Sequence, residues 1–276
     1  MNLGISSLGF IIELGILNHY QDVYDLLYNS TKMCLDFADE RNIDLVELVI
    51  DPPEIQQTEK RLQLIDLINS YPIKIQVHGP FIDVNLCSHN NTISKASLEI
   101  YIDTAKFCNA INAKIMTIHP GLANSSIETI QDYNKIQLKH TIEQLLNFTS
   151  NYDMIICLEN MTKRSGIMLD ESNIEDIISF INRDDLYLTY DTSHFYTANG
   201  NIELLWDKFH NKIKNVHLVD NFTKESDPHP TLGVGNINFQ EIFNIIKGYN
   251  YEGPFIIELS SAKDLDESLN FINKFL

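Results

Sequence analysis

The sequence predicts an α/β protein, a single-domain (β/α)8 TIM barrel over residues 1–276, on three observations. Eight short apolar runs rich in β-branched residues alternate with helix-period segments from one end of the chain to the other. The length of 276 residues suits one closed barrel, which typically takes about 250. Neither Gly-x-Gly-x-x-Gly after the first run nor Gly-x-x-x-x-Gly-Lys-Ser/Thr occurs, so the usual nucleotide fingerprints of a doubly wound sheet are missing.

In chain order the strand candidates are 3–7 (LGISS), 45–50 (LVELVI), 73–78 (IKIQVH), 115–119 (IMTIH), 155–159 (IICLE), 186–191 (LYLTYD), 215–218 (NVHL) and 255–259 (FIIEL). Most gaps between them hold a helix candidate. In 92–112 and 127–151, for example, apolar residues return every three or four positions and build one apolar stripe. No Pro/Gly/Ser linker, low-complexity tract or strict repeat interrupts the alternation, so nothing calls for a second domain.

With 44% hydrophobic and 21% charged residues the chain is globular, and disordered or collagen-like classes are excluded. Its 20 Lys plus Arg against 38 Asp plus Glu give a net charge of −18, which speaks against binding nucleic acid mainly through clustered cations. The Arg residues are only four, at 41, 61, 164 and 183. An acidic protein can still carry a small cationic cleft or neutralise its acids with bound metal. Cys34, Cys87, Cys108 and Cys157 are widely spaced and are read as reduced, buried thiols rather than a disulfide or thiolate-zinc framework. The start, MNLGISSLGFIIELGIL, has no basic region and is interrupted by Glu13, which argues against a signal peptide or membrane span. A cytoplasmic enzyme is expected, with no membrane partner and no protein partner evident.

In such a barrel the loops after the strands line one mouth, where chemistry gathers. The third candidate strand ends at His78 (VHGPF), the fourth at His119 (IHPG) and the fifth at Glu159 (LEN). The sixth ends in YDTSH with Asp191 and His194, the seventh at His217 and the eighth at Glu258. The loop after the seventh adds Asp227 and His229, so five of the nine His fall at these ends or in their loops. One His at a strand end is more often hydrogen-bonded than ligating, and His78 or His119 alone would carry no more than that. A carboxylate closing an apolar strand, such as Glu159 or Glu258, must instead be paired, hydrogen-bonded or metal-bound. Convergence of imidazole and carboxylate donors at six strand ends points to zinc, manganese or a related divalent ion.

Other residues keep plainer assignments. His19, His89, His140 and His210 lack partner donors and are read as surface residues. Asp51 either faces the mouth or makes the turn before Pro52-Pro53. Gly233 and Gly235 in LGVGNI are read as permitting a tight turn near the site rather than holding a phosphate.

The motifs HGPF, IHPG, LEN, DTSH, VHLVD, DPHPTLGVG and IIEL, in this order over residues 73–261, resemble the AP endonuclease family 2 branch of the xylose-isomerase-like barrels. The best-known DNA-acting members of that branch are the endonuclease IV enzymes. The resemblance implies up to three Zn2+ ions, with Mn2+ or another divalent metal as alternatives. The first would be held by His78, His119 and Glu159; the second by Glu159, Asp191, His217 and Glu258; and the third by His194, Asp227 and His229. Glu159 and Glu258 are the implied catalytic carboxylates, and Phe81, Asn160, Lys163 and Arg164 are candidates to touch substrate.

Two activities follow from that resemblance. One is phosphodiester hydrolysis on abasic-site DNA or a small phosphorylated substrate, because clustered divalent ions activate water and neutralise phosphate. The other is isomerisation or epimerisation of a sugar or sugar phosphate, with Glu159 and Glu258 exchanging protons beside one or two ions. Phe81 stands where the DNA-cleaving members place a hydroxyl-bearing aromatic, and the first 60 residues look more like the sugar-isomerase type. Basic residues at the mouth are few, Lys163, Arg164 and Lys224 being the visible ones. A non-catalytic metal-bound barrel is a third reading.

Overall fold

In the computed structural model, which describes residues 2–51, 58–123 and 125–275, eight parallel strands close into a barrel in chain order. They are β1 (Asn2–Ser6), β2 (Leu45–Val49), β3 (Lys74–His78), β4 (Ile115–Ile118), β5 (Ile155–Glu159), β6 (Leu186–Asp191), β7 (Ile213–Leu218) and β8 (Pro254–Ile257). The helices are α1 (Leu8–Leu17), α2 (Val23–Glu40), α3 (Thr58–Asn69), α4 (Asn91–Ala110), α5 (Glu128–Thr149), α6 (Glu171–Ile181), α7 (Thr192–Thr197), α8 (Ile202–Phe209), α9 (Phe239–Gly248) and α10 (Leu265–Ile272). The barrel closes where β1 pairs β8 in register, Ile5 against Ile257.

All eight strand candidates are strands; 155–159 and 186–191 match at both ends, and the other six have displaced ends. Ser7 leaves β1: its backbone N–H donates to Glu47 O (2.9 Å) while its carbonyl already accepts from Phe10 and Ile11 at the start of α1. β7 begins earlier, at Ile213, and β8 stops at Ile257, so Glu258 is the first residue beyond the ladder. Its N–H still reaches Leu218 O at 3.2 Å, which keeps its position fixed relative to β7.

The helices follow the apolar periodicity. In α4 the buried Leu98, Tyr101, Ala105 and Cys108 recur at helical spacing, and the Asn90 side chain caps the helix by accepting from Thr92 N. These faces pack on the outward residues of the strands, among them Leu48, Val77, Leu158, Val216 and Phe255, all buried. The four cysteines are buried and free. Among the described residues no helix is long and apolar enough to cross a membrane.

One inward-facing layer, of Glu47, Gln76, Thr117, Thr189 and Asn215, is polar where a barrel interior is usually filled by aliphatic layers. Gln76 on β3 donates to Asn215 on β7 (3.0 Å), and Thr117 on β4 bonds Thr189 on β6 (2.8 Å), both across the barrel. Side chains alternate with period two along a strand, so the residues two positions later point inward as well. Those residues are His78, His119, Asp191 and His217.

Candidate metal centre

Glu159 closes β5 at the middle of the cluster, 1% exposed. Its Oε2 lies 3.3 Å from His78 Nε2 and 2.8 Å from His119 Nε2, and its Oε1 lies 3.1 Å from His217 Nδ1 and 3.4 Å from His194 Nδ1. His217 Nδ1 is also 3.5 Å from Glu258 Oε2 and 3.9 Å from Asp191 Oδ2. A second focus forms at Asp227 Oδ2, which is 3.0 Å from His194 Nε2 and 3.1 Å from His229 Nε2. All nine residues singled out as ligand candidates are therefore gathered at one end of the barrel.

Local structure explains the orientation of several donors. The Asp191 side chain caps the short helix α7: Oδ1 accepts from His194 N (2.6 Å), and one turn brings the His194 ring back over the mouth. His229 adopts a left-handed backbone (φ 49°), uncommon for a histidine, and its carbonyl accepts from Ser260 N and Oγ. The loop that carries His229 is closed at its base by Asp220, whose carboxylate accepts from Gly233 N and Gly235 N, each at 2.8 Å, and from Ile237 N at 3.2 Å. Gly233 sits at φ +87°, and a Cβ on Gly235 would lie 2.3 Å from Asp220. Both glycines thus serve backbone approach to Asp220.

Three of the five imidazoles also have an outer contact that orients the ring. His78 Nδ1–H donates to Gly79 O (2.8 Å) and His194 Nδ1–H to Asn160 O (2.9 Å), leaving each Nε2 toward the carboxylates. For His217 the outer partner is a carboxylate, Glu47 on β2, with Oε1 2.9 Å from Nε2. The contact departs from ideal hydrogen-bond alignment, and Oε1 has no other partner. Gln76 and Asn215 donate to the other oxygen of Glu47 at 2.7 and 3.0 Å. Glu47 is 0% exposed and was not among the sequence candidates. The signal was present: it is a lone carboxylate inside an apolar strand, the feature that singled out Glu159.

The electrostatics follow from burial and mutual pairing. Burial opposes charge on His194 and His217, but neighbouring carboxylates lift both well above the usual histidine range. His78 is likewise opposed by burial and raised by Glu159 to about 9, whereas burial prevails at His119 and lowers it. Glu159 and Asp227 resist burial through their histidine neighbours and are held well below the ordinary carboxylate range. Burial, reinforced by Glu159 and Asp227, pushes Asp191 up to about 7.

Asp191 Oδ2, Glu258 Oε2 and His229 Nδ1 are buried without a hydrogen-bond partner. Such atoms are costly to leave unpaired, and all three belong to the candidate ligand set. A mixed imidazole and carboxylate set that includes buried, unpaired donor atoms fits divalent cations. Four overlapping triads satisfy metal-ligand proximity: His78, Glu159 and His217; His194, Asp227 and His229; Glu47, His217 and Glu258; and Glu159, Asp191 and His194.

The sequence model of the xylose isomerase-like TIM barrel family matches residues 19–275. The chain belongs to that family. Its relatives carry two kinds of name. An uncharacterized protein of Methanocaldococcus jannaschii is 27% identical over 100% of this chain and 89% of its own. A probable endonuclease 4 of Mycoplasma pneumoniae is 26% identical over 78% of each chain. Among solved structures, a D-tagatose 3-epimerase-like protein superposes with a TM-score of 0.81 at 25% identity, covering 100% of this chain and 97% of its own. The IOLI protein, crystallised with a zinc atom, shares the fold at TM-score 0.76 and 16% identity, over 100% and 96% of the two chains. Members of the family are enzymes of endonuclease IV or sugar epimerase and isomerase type, and they bind divalent metals.

The substrate candidates separate in this family member. Phe81 lines a mouth cavity of about 390 Å³ and meets the rings of His78 and His119 at 5.4 and 5.6 Å. Asp51 lines it too, accepting from Phe81 N and Ile82 N (2.9 and 2.7 Å); Pro52-Pro53 lie outside the described residues. Asn160 does not face the cavity: it is 2% exposed and holds the backbone of Asp191 by two hydrogen bonds of 2.8 and 3.0 Å. Lys163 and Arg164 line a separate, adjoining cavity. Of the histidines assigned to the surface, His19, His89 and His140 are exposed, while His210 is half-buried and stacks on Tyr249 at 4.8 Å.

Proposed function

We propose that this protein is a multinuclear divalent-metal phosphodiester hydrolase. Support comes chiefly from the His194, Asp227 and His229 group, which stands beside the overlapping groups Glu159, Asp191, His194 and Glu47, His217, Glu258. An enzyme working with one ion has no need of that additional triad. The ligands are assigned as His78, His119 and Glu159 for one ion, Glu159, Asp191, His217 and Glu258 for a second, and His194, Asp227 and His229 for a third. When bound, such ions supply activated water near neutral pH and neutralise charge on phosphorus oxygens.

The chain's own groups do the positioning. Glu159 presents one oxygen to His78 and His119 and the other to His217 and His194, so it holds both halves of the centre in register. Leu8, Ile11, Val49 and Phe81 give the mouth an apolar wall on one side. Glu258 Oε2, buried and unpaired, is placed to accept or return a proton.

Epimerisation of a free sugar is the second reading. It is favoured by the superposition on the D-tagatose 3-epimerase-like protein and by a mouth cavity of about 390 Å³, sized for a small molecule. One experiment separates the two. The zinc- or manganese-loaded protein is given bis(p-nitrophenyl) phosphate and an abasic-site oligonucleotide, and in parallel D-tagatose and D-fructose in deuterated water. Release of p-nitrophenolate or strand cleavage, lost in His229→Ala, supports hydrolysis. Deuterium entering a ketose, with no diester cleaved, replaces it by the epimerase reading.

A further inference from the structure

A second cavity, of about 690 Å³, opens beside the mouth and shares Asp227 as a wall with it. Three cations line it, Lys163 and Arg164 from the loop after β5 and Lys224 from the loop after β7. In a chain of net charge −18 that gathering is unusual. Arg41, Arg61 and Arg183 each meet an aspartate, at 2.6, 3.2 and 2.7 Å. Among the described residues, Lys163, Arg164 and Lys224 have no carboxylate at ion-pair distance. Glu225 stands on the rim, but its contact with Arg164 is through the backbone carbonyl (2.7 Å).

Two of the cations are held by side-chain contacts, and the third is held at its backbone. Arg164 bridges the two loops through that carbonyl, and Lys224 bonds the Asn199 side chain and lies over the Tyr196 ring at 5.1 Å. The backbone N–H of Lys163 donates to Thr197 Oγ1 (3.1 Å), whose hydroxyl donates to His194 O (2.8 Å). The floor of this cavity is therefore tied directly to a residue of the metal-type cluster. An Arg fork, two ammonium groups and the hydroxyls of Thr162 and Ser226 suit a phosphate dianion.

We propose that this cavity is an anion subsite, which takes a second phosphate group of the substrate while the reacting group occupies the mouth. The identity of the reacting group rests on the hydrolase reading; the subsite itself is measured by affinity and needs no turnover. With Asp227 lining both cavities, the fitting class is a short molecule that carries a phosphomonoester in addition to a diester.

The test compares two ligands on the zinc-loaded protein: thymidine 5′-(p-nitrophenyl phosphate) and the same compound with a 3′-phosphate. Titration calorimetry gives Kd for both, and p-nitrophenolate release is followed alongside. The added phosphate should tighten binding about tenfold, the scale of one charge-assisted contact, with the gain shrinking at high salt. Lys163→Ala and Lys224→Ala together should remove most of that gain, and Lys163→Arg should keep it. Because the readout is the ratio of two affinities on one protein sample, a partly unfolded variant does not mimic the result. Equal affinities on the wild-type protein, or a gain that survives the double substitution, would overturn the subsite. Absence of turnover with the gain intact counts against the hydrolase reading alone.

Discussion

Glu47 sets which nitrogen of His217 is offered to a cation, and its replacement should weaken metal binding without unfolding the barrel. The Asn215 amide has two hydrogens and three acceptors within reach: Glu47 Oε2 at 3.0 Å, Thr117 Oγ1 at 3.1 Å and His217 Nε2 at 3.0 Å. With Glu47 ionised, the first two take both hydrogens and His217 Nε2–H faces Glu47 Oε1 at 2.9 Å. Carboxylates on both sides keep both ring nitrogens protonated in the metal-free protein; when a cation displaces one proton, Glu47 retains the one on Nε2, and the Nδ1 lone pair faces Glu159, Glu258 and Asp191. In Glu47→Leu one Asn215 hydrogen is released and can be accepted at Nε2, which moves the ring proton to Nδ1, where it blocks a ligand bond. Outer partners of metal-bound histidines are worth about 10- to 100-fold in affinity, or about 1.4 to 2.8 kcal/mol. Glu47→Leu should fall near the upper end, and Glu47→Gln, which keeps one acceptor oxygen but no charge, near the lower. Chelator competition with zinc gives the affinity, and ¹⁵N NMR of His217 gives the tautomer. Metal affinity and Nε2–H both retained in Glu47→Leu would refute the assignment.

Other outcomes follow from the same geometry. His229→Ala and Asp227→Ala should each lower the bound-metal count, measured by elemental analysis, by one while leaving the ions assigned to Glu159 in place. In protein stripped of metal, His78, raised to about 9 against about 6.5 for an unfolded histidine, contributes stability that is full below about pH 6.5 and lost as pH rises through about 9. Thermal melts in chelator should therefore show stability declining over that window. Metal affinity should rise over the same window, because binding must displace the His78 proton, and calorimetry in buffers of different ionisation enthalpy would detect that release. Asp220→Asn loses half its acceptor capacity for Gly233, Gly235 and Ile237, and should cost about 1–3 kcal/mol in a denaturation curve.

The barrel was legible because each strand is a short β-branched run and each intervening helix carries its own stripe, both local signals. The donor set was legible for a related reason: chemistry at strand ends is readable once the strands are known. Asn160 shows the limit. It follows Glu159 directly, and period-two alternation turns it away from the axis, so it supports Asp191 instead of meeting substrate. Lys163 and Arg164 lie past the strand, where no periodicity predicts direction, and they line the neighbouring cavity.

The sequence by itself determined the order of the eight strands, their alternation with helical segments, the nine imidazole and carboxylate donors and the end of the barrel on which they lie. Tertiary structure alone decided which donors share a volume, which nitrogen of each ring faces inward, and that Glu47 supports His217. Asn215, which bonds Glu47, is 168 residues away from it. Local propensity carries no record of such a contact. Closure of the barrel creates it, by bringing β2 and β7 to face each other across an interior that water does not reach.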